Sequence, residues 1–170
     1  MNSAVFRIGL LPTLAKKQNM KTSFEITRMN RRKLLDVLEN NTLEQLNKVP
    51  EGFSNNLIWN IAHIVVVQQM LVYKLSGLPM QISDAMVDTY KRGTKPEADV
   101  TADEVETIKQ LLTSTIDQTE ADYNAGIFRD YTDFTTMSGF VITNAQQAIE
   151  FNNYHEGIHA GIMLGIRKFI

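Results

Sequence analysis

Apolar residues recur at helical spacing along four long stretches of the chain, with polar or glycine-rich punctuation between them. The first stretch runs from about Ser23 to Glu39. Phe24, Leu35 and Leu38 recur there with Arg28 and Arg31 at 3-4 spacing, and Ser23 is a candidate N-cap. Asn40-Asn41 interrupts it. Thr42, with Gln45 three residues on, has the spacing of a capping box and opens a short helix that Pro50 ends. The second stretch runs from about Ser54 to Ser76, and Gly77 supplies a stop. Leu57, Ile58, Trp59, Ile61, Ile64, Val65, Val66, Val67, Met70 and Leu71 nearly surround it, so this helix is buried or lies in a subunit interface.

Residues 77–100 then form a long connection. A second capping box, Thr101 with Glu104, opens the third helix, which carries Val105, Ile108, Leu111, Leu112, Thr115 and Ile116. Residues 124–142 read as an irregular or short β-ribbon connection. The fourth helix opens at Thr143, with Gln146 three residues on, and runs nearly to Ile170; its inward stripe is Ala148, Asn152, His155, His159, Ile162 and Ile166. The pattern predicts an all-α protein: a single four-helix bundle over residues 21–170, with long connections after helices two and three. Residues 1–20 read as an N-terminal extension ahead of an alternative start at Met20.

Composition narrows the function. The chain has 170 residues, enough for one domain with a real core, and a hydrophobic fraction of 44% with only 9 Gly and 4 Pro. A net charge of −2 gives no basic excess to attract a phosphate backbone, so no nucleic-acid partner is expected. No run of 18 consecutive apolar residues is present, so no membrane span is expected either. Cysteine is absent, which removes disulfides, thiolate ligands and cysteine nucleophiles. A cytoplasmic location is the expectation.

The chemistry lies in three histidines, the only ones in the chain. His63 falls in the apolar second helix. His155 and His159 lie four apart in the last helix and project from one face. Two imidazoles so placed, with a third from a facing helix, can hold one divalent ion and leave a coordination position open, as in catalytic rather than structural sites. Zinc or nickel suits three neutral imidazoles best, with iron, manganese or copper as alternatives.

His155-Glu156-Gly157-Ile158-His159 also matches the zinc-protease pattern H-E-x-x-H. That class needs a further ligand, and Ala160 to Ile170 contain no His, Asp or Glu. A peptidase is therefore not expected. Besides a water on the metal, Glu156 is the one candidate catalytic group, as general base. The favoured expectation is milder: it points about 100° away from His155 and is a solvated carboxylate.

The run Leu57-Ile58-Trp59-Asn60-Ile61-Ala62-His63-Ile64, preceded by Leu46-Asn47-Lys48-Val49-Pro50-Glu51-Gly52, together with His155-x-x-x-His159-x-Gly161, resembles the DinB-like superfamily of metal-binding four-helix bundles, which includes bacterial thiol S-transferases. The resemblance covers about residues 21–170. It implies a fold of DinB-like type and a metal triad at His63, His155 and His159. It also implies metal-dependent chemistry on a small molecule, with a low-molecular-weight thiol as one substrate class. Members often carry Gln where Ile162 stands.

Four further expectations follow. Asn60 and Asn152 are placed to accept the second N–H of ligating imidazoles. Arg28 and Arg31 either hold an anionic substrate group or snorkel to solvent, the second being favoured. The apolar second helix is expected to form a homodimer face, unless the connection from Leu78 to Val100 or the segment before Met20 covers it. The favoured function is hydrolysis or thiol/S-transfer at the metal; the alternative is a non-catalytic, metal-stabilised bundle acting as a dimeric interaction or stress-related protein.

Overall fold

The computed structural model describes residues 11–170, with side chains from Met20 onward. Four long helices dominate: α1 (Leu11–Glu39), α3 (Leu57–Val72), α5 (Ala102–Ala125) and α6 (Ala145–Ile166). Each packs against two of the others, α1 and α3 both lying between α5 and α6. Two short helices, α2 (Leu43–Asn47) and α4 (Asp84–Tyr90), sit in the connections, and a 3-10 turn over Lys74–Ser76 extends α3. The ribbon expected after α5 is an antiparallel pair, β1 (Phe134–Thr135) and β2 (Val141–Ile142), with Phe134 opposite Ile142 and Thr135 opposite Val141.

The caps explain most of the boundaries. Both capping boxes form: Gln45 N–H donates to Thr42 Oγ1 at 3.2 Å, and Thr101 N–H donates to Glu104 Oε2 at 2.7 Å. Gly77 and Gly126 take the left-handed conformation at φ +69° and +71° and stop their helices. Two starts differ from expectation. The helix expected from about Ser54 starts at Leu57, capped by Asn56 through Trp59 N–H at 2.9 Å, and Asn144, not Thr143, caps α6 through Gln147 N–H at 3.0 Å.

The largest correction concerns α1, which begins at Leu11 rather than Ser23. No Gly or Pro interrupts the chain between Pro12 and Pro50. Ser23 is mid-helix, its carbonyl accepting from Thr27 Oγ1 and Asn153 Nδ2, each at 3.0 Å. The expected extension over residues 1–20 falls in part on residues 1–10, outside the described residues.

α3 is buried on nearly every side. Leu57, Ile61, Ile64 and Val65 are 0% exposed and Leu71 is 6%. At about 1.5–3 kcal/mol per buried aliphatic side chain, covering them dominates the local energetics. The cover comes from the same chain: Val87 and Tyr90 of α4 join this core, with Met80, Ile82 and Met86 packed against it. The residues that suggested a dimer face on this helix are thus covered within one chain. Leu57–Ser76 is long and apolar enough to cross a membrane by length and composition, yet 83% of its most apolar 18-residue window is buried inside the protein.

Two hydrophobic clusters fill the interior. One joins Leu34 and Leu38 of α1 to Leu57–Val66 of α3, Val105–Leu112 of α5 and Met163–Ile166 of α6. The other joins Met20, Phe24, Leu71, Ile116 and Ile149. Between these clusters lie buried polar residues: Thr27 and Arg31 on α1, Gln68 and Gln69 on α3, Asn152 and Glu156 on α6, with Thr115 and Thr119 alongside on α5. They form a hydrogen-bonded waist. Gln68 Nε2 donates to Thr119 Oγ1 at 2.7 Å, Arg31 Nη1 donates to Thr115 Oγ1 at 3.2 Å, and Arg31 pairs with Glu156.

Candidate metal centre

α3 and α6 pack face to face, and this brings the three histidines together. Ring centroids are 5.2 Å apart for His63–His155, 4.7 Å for His63–His159 and 4.6 Å for His155–His159. Each ring offers one ligand atom, and these atoms all lie within 4.8 Å of one another. Around a tetrahedral ion with bonds of about 2.1 Å, ligand nitrogens stand about 3.4 Å apart, so about 1 Å or less of imidazole movement closes the site.

The rings are held from behind. His63 is 4% exposed, and its Nδ1–H donates to the Tyr90 carbonyl at 2.6 Å. Trp59, one turn earlier, stacks on it at 4.6 Å with 13° between the planes. The Trp59 indole N–H in turn donates to Thr94 Oγ1 at 3.2 Å. Asn60 donates from Nδ2 to Asn55 Oδ1 and to the Asn56 carbonyl, so its Oδ1 is an acceptor and receives Nδ1–H of His159 at 2.8 Å. Both bonds fix the tautomer that leaves Nε2 as a free lone pair. Nδ1 of His155 is buried without a partner.

Electrostatics favour the neutral rings. Burial pushes the His155 imidazole down to about 3, and the neighbouring His159 and His63 add to the effect. Burial and then His63 push His159 down to about 4. Burial also lowers His63, against the Tyr90 carbonyl, which favours the charged form. At neutral pH three uncharged imidazoles converge on one point, the protonation state a metal requires. The donor set fits a divalent metal ion.

Glu156 departs from expectation. It does turn away from the triad, but into the protein: it is 1% exposed, not solvated. Arg31 Nε and Nη2 reach its Oε1 at 3.0 and 2.9 Å, Asn152 Nδ2 reaches the same oxygen at 2.8 Å, and Asn30 Nδ2 reaches Oε2 at 2.7 Å. Arg31 is itself 2% exposed and does not snorkel. α1 packs along this side of α6, so both groups lie between helices. Arg28 is bound to Asp117 at 2.8 Å and Glu120 at 2.6 Å rather than free for an anionic substrate.

Asn60 serves as an acceptor, though for His159 across the helix pair rather than for His63 on its own helix. Asn152 gives its amide to Glu156, and its Oδ1 has no partner. Sequence reasoning missed the Tyr90 carbonyl, which no side-chain pattern could signal. It also missed the Arg31–Glu156 pair, although Ile149, Asn152, Glu156 and Met163 recur at helical spacing and are all buried.

These features define a helical protein whose interior holds a three-histidine group able to bind a metal ion. The family model of the DinB superfamily matches residues 26–163, and the chain belongs to that superfamily. No curated protein matches it.

Proposed function

We propose that the protein binds one divalent metal ion through His63, His155 and His159, within a bundle of four long helices, and uses it in hydrolysis or thiol/S-transfer on a small molecule. The observation that carries this reading is the convergence of three neutral imidazoles whose ligand atoms lie within 4.8 Å of one another. Zinc or nickel fits the all-imidazole set best. When bound, such an ion supplies Lewis-acid chemistry, lowering the pKa of a bound water or holding a thiol as thiolate. The protein's own contribution is orientation: the Tyr90 carbonyl and Asn60 hold two rings in the ligating tautomer, and Trp59 shields His63 from water. Superfamily membership supports thiol transfer as one of the reactions, with a low-molecular-weight thiol as substrate.

A second reading, a non-catalytic bundle stabilised by its metal, draws on one observation. Among the described residues no carboxylate contacts an imidazole of the triad, and Glu156 is engaged elsewhere. The test is elemental analysis of untagged protein, followed by thiol-transfer and hydrolase screens of the metal-loaded form. One equivalent of metal with turnover that is lost in His155→Ala supports the enzyme. Stoichiometric metal without turnover supports the structural role. Protein that takes up no divalent transition metal overturns both.

A further inference from the structure

The polar waist ends at two atoms with nothing to bind. Among the described residues the buried side-chain atoms lacking a partner are Gln81 Nε2, Asn152 Oδ1 and His155 Nδ1. The last two lie within one turn of α6, and they are complementary, since an amide oxygen accepts and a neutral imidazole can donate. Helical side chains lean back over the preceding turn, which brings the His155 ring toward Asn152.

The Asn152 amide is not free to choose its orientation. Its Nδ2 donates to Glu156 Oε1 at 2.8 Å; flipped, its oxygen would meet a carboxylate, acceptor against acceptor. Glu156 is itself set from outside α6. Arg31 binds it through two nitrogens and Asn30 through a third, while Arg31 is anchored to Thr115 Oγ1 and the Leu112 carbonyl of α5. The other two rings of the triad already have their acceptors, Tyr90 and Asn60. His155 is the ring without one, and Asn152, three residues earlier on α6, offers an unused oxygen.

We infer that Glu156, held by Arg31, is a positioning residue for the metal centre: it fixes the Asn152 amide with Oδ1 unused, so that Oδ1 is free to accept Nδ1–H of His155 when Nε2 of that ring binds the ion. The inference rests on the metal reading above. It gives the glutamate of the H-E-x-x-H sequence a role through Asn152 rather than at a reacting atom. It also ties α1 and α5 to a ligand they do not touch.

The test uses full-length protein stripped of metal and titrated with zinc by competition against a chromophoric chelator, together with nitrogen-detected NMR of the histidine rings. Zinc-loaded wild type should show a slowly exchanging Nδ1–H on His155. Asn152→Leu should lose that signal, keep those of His63 and His159, and bind zinc about 10- to 100-fold more weakly. Glu156→Gln should shift the His155 signal and weaken zinc in the same direction. Zinc bound through Nδ1 of His155 in wild type would overturn the inference even if the variants fail to fold. So would zinc affinity unchanged in a folded Asn152→Leu, while leaving the metal reading intact. Wild type that binds no zinc would overturn the metal reading, and this inference with it.

Discussion

The carbonyl oxygen of Tyr90 lies 2.6 Å from Nδ1 of His63, so the short helix α4 sets the tautomer of a histidine on α3. The same helix covers the apolar face of α3 through Val87. One seven-residue element therefore both closes the core and prepares a ligand. Its backbone does the second job, and no side-chain substitution at Tyr90 removes that acceptor. Asn60 holds His159 with a side chain, and that contact can be removed.

Metal binding should accordingly depend on Asn60. Asn60→Ala is expected to weaken zinc by about 10- to 100-fold, because His159 loses the acceptor that fixes its ring. His63→Ala should abolish uptake at micromolar metal. Calorimetry gives a second readout. Metal at about 100 times its dissociation constant adds about 2.7 kcal/mol to the stability of a protein that binds it only when folded. Wild type should therefore melt several degrees higher with zinc, and His63→Ala should not respond. An equal response in both would mean that zinc binds elsewhere.

The metal-free protein should lose stability in acid through the same histidines. Their folded-state pKa values lie below the ordinary 6.5, at about 3 for His155 and about 4 for His159. As pH falls below 6.5 the unfolded chain takes up protons that the folded chain refuses, so stability declines from there until the folded rings are protonated near pH 4 and pH 3. Above 6.5 this contribution is complete and flat. Urea midpoints of stripped protein between pH 8 and pH 4 check it. Replacing His155 and His159 together with Gln should flatten the acid side of that curve; an unaltered slope would place its cause in other groups.

The buried pair Arg31–Glu156 should be costly to break and mild to replace. Arg31→Met leaves the Glu156 carboxylate in the interior without its counter-charge, at an expected cost of about 3–5 kcal/mol. The double replacement Arg31→Met with Glu156→Leu removes both charges and should recover most of that loss. It should not recover zinc affinity if Glu156 orients Asn152. Denaturant melts of the two variants decide the first point. A double variant no more stable than Arg31→Met would show that the waist hydrogen bonds, rather than the unpaired charge, carry the energy.

Much of this was legible in the residues, for physical reasons. Capping boxes at Thr42 and Thr101 bind their own chain locally, so sequence spacing suffices to find them. The His155–His159 pair is likewise a local, one-turn relation, and His63 stood out because nothing else in α3 could ligate. What escaped was set by tertiary contact. Glu156 and Arg31 looked solvated because charged residues usually are; only the packing of α1 on α6 makes them a pair. Cover of α3 by the connection from Leu78 to Val100 was only the alternative to a dimer, because α4 is seven residues long and its Val87 and Tyr90 show no repeating period. The start of α1 was misplaced because Ser23 resembles a cap, whereas it sits mid-helix with its carbonyl accepting from the Thr27 and Asn153 side chains.

The glutamate of the H-E-x-x-H sequence gives the last prediction. A zinc-peptidase base must reach a water on the metal, and must be free to take its proton. Here both oxygens of Glu156 are occupied, Oε1 by Arg31 and Asn152 and Oε2 by Asn30. No His, Asp or Glu follows His159 to act as a downstream ligand, and the third imidazole comes instead from upstream, on α3. Metal-loaded protein should therefore leave a broad peptide library intact, and Glu156→Gln should change only its metal affinity and stability. Cleavage by wild type that disappears in Glu156→Gln would reverse this assignment. It would require the carboxylate to leave Arg31 and swing toward the triad.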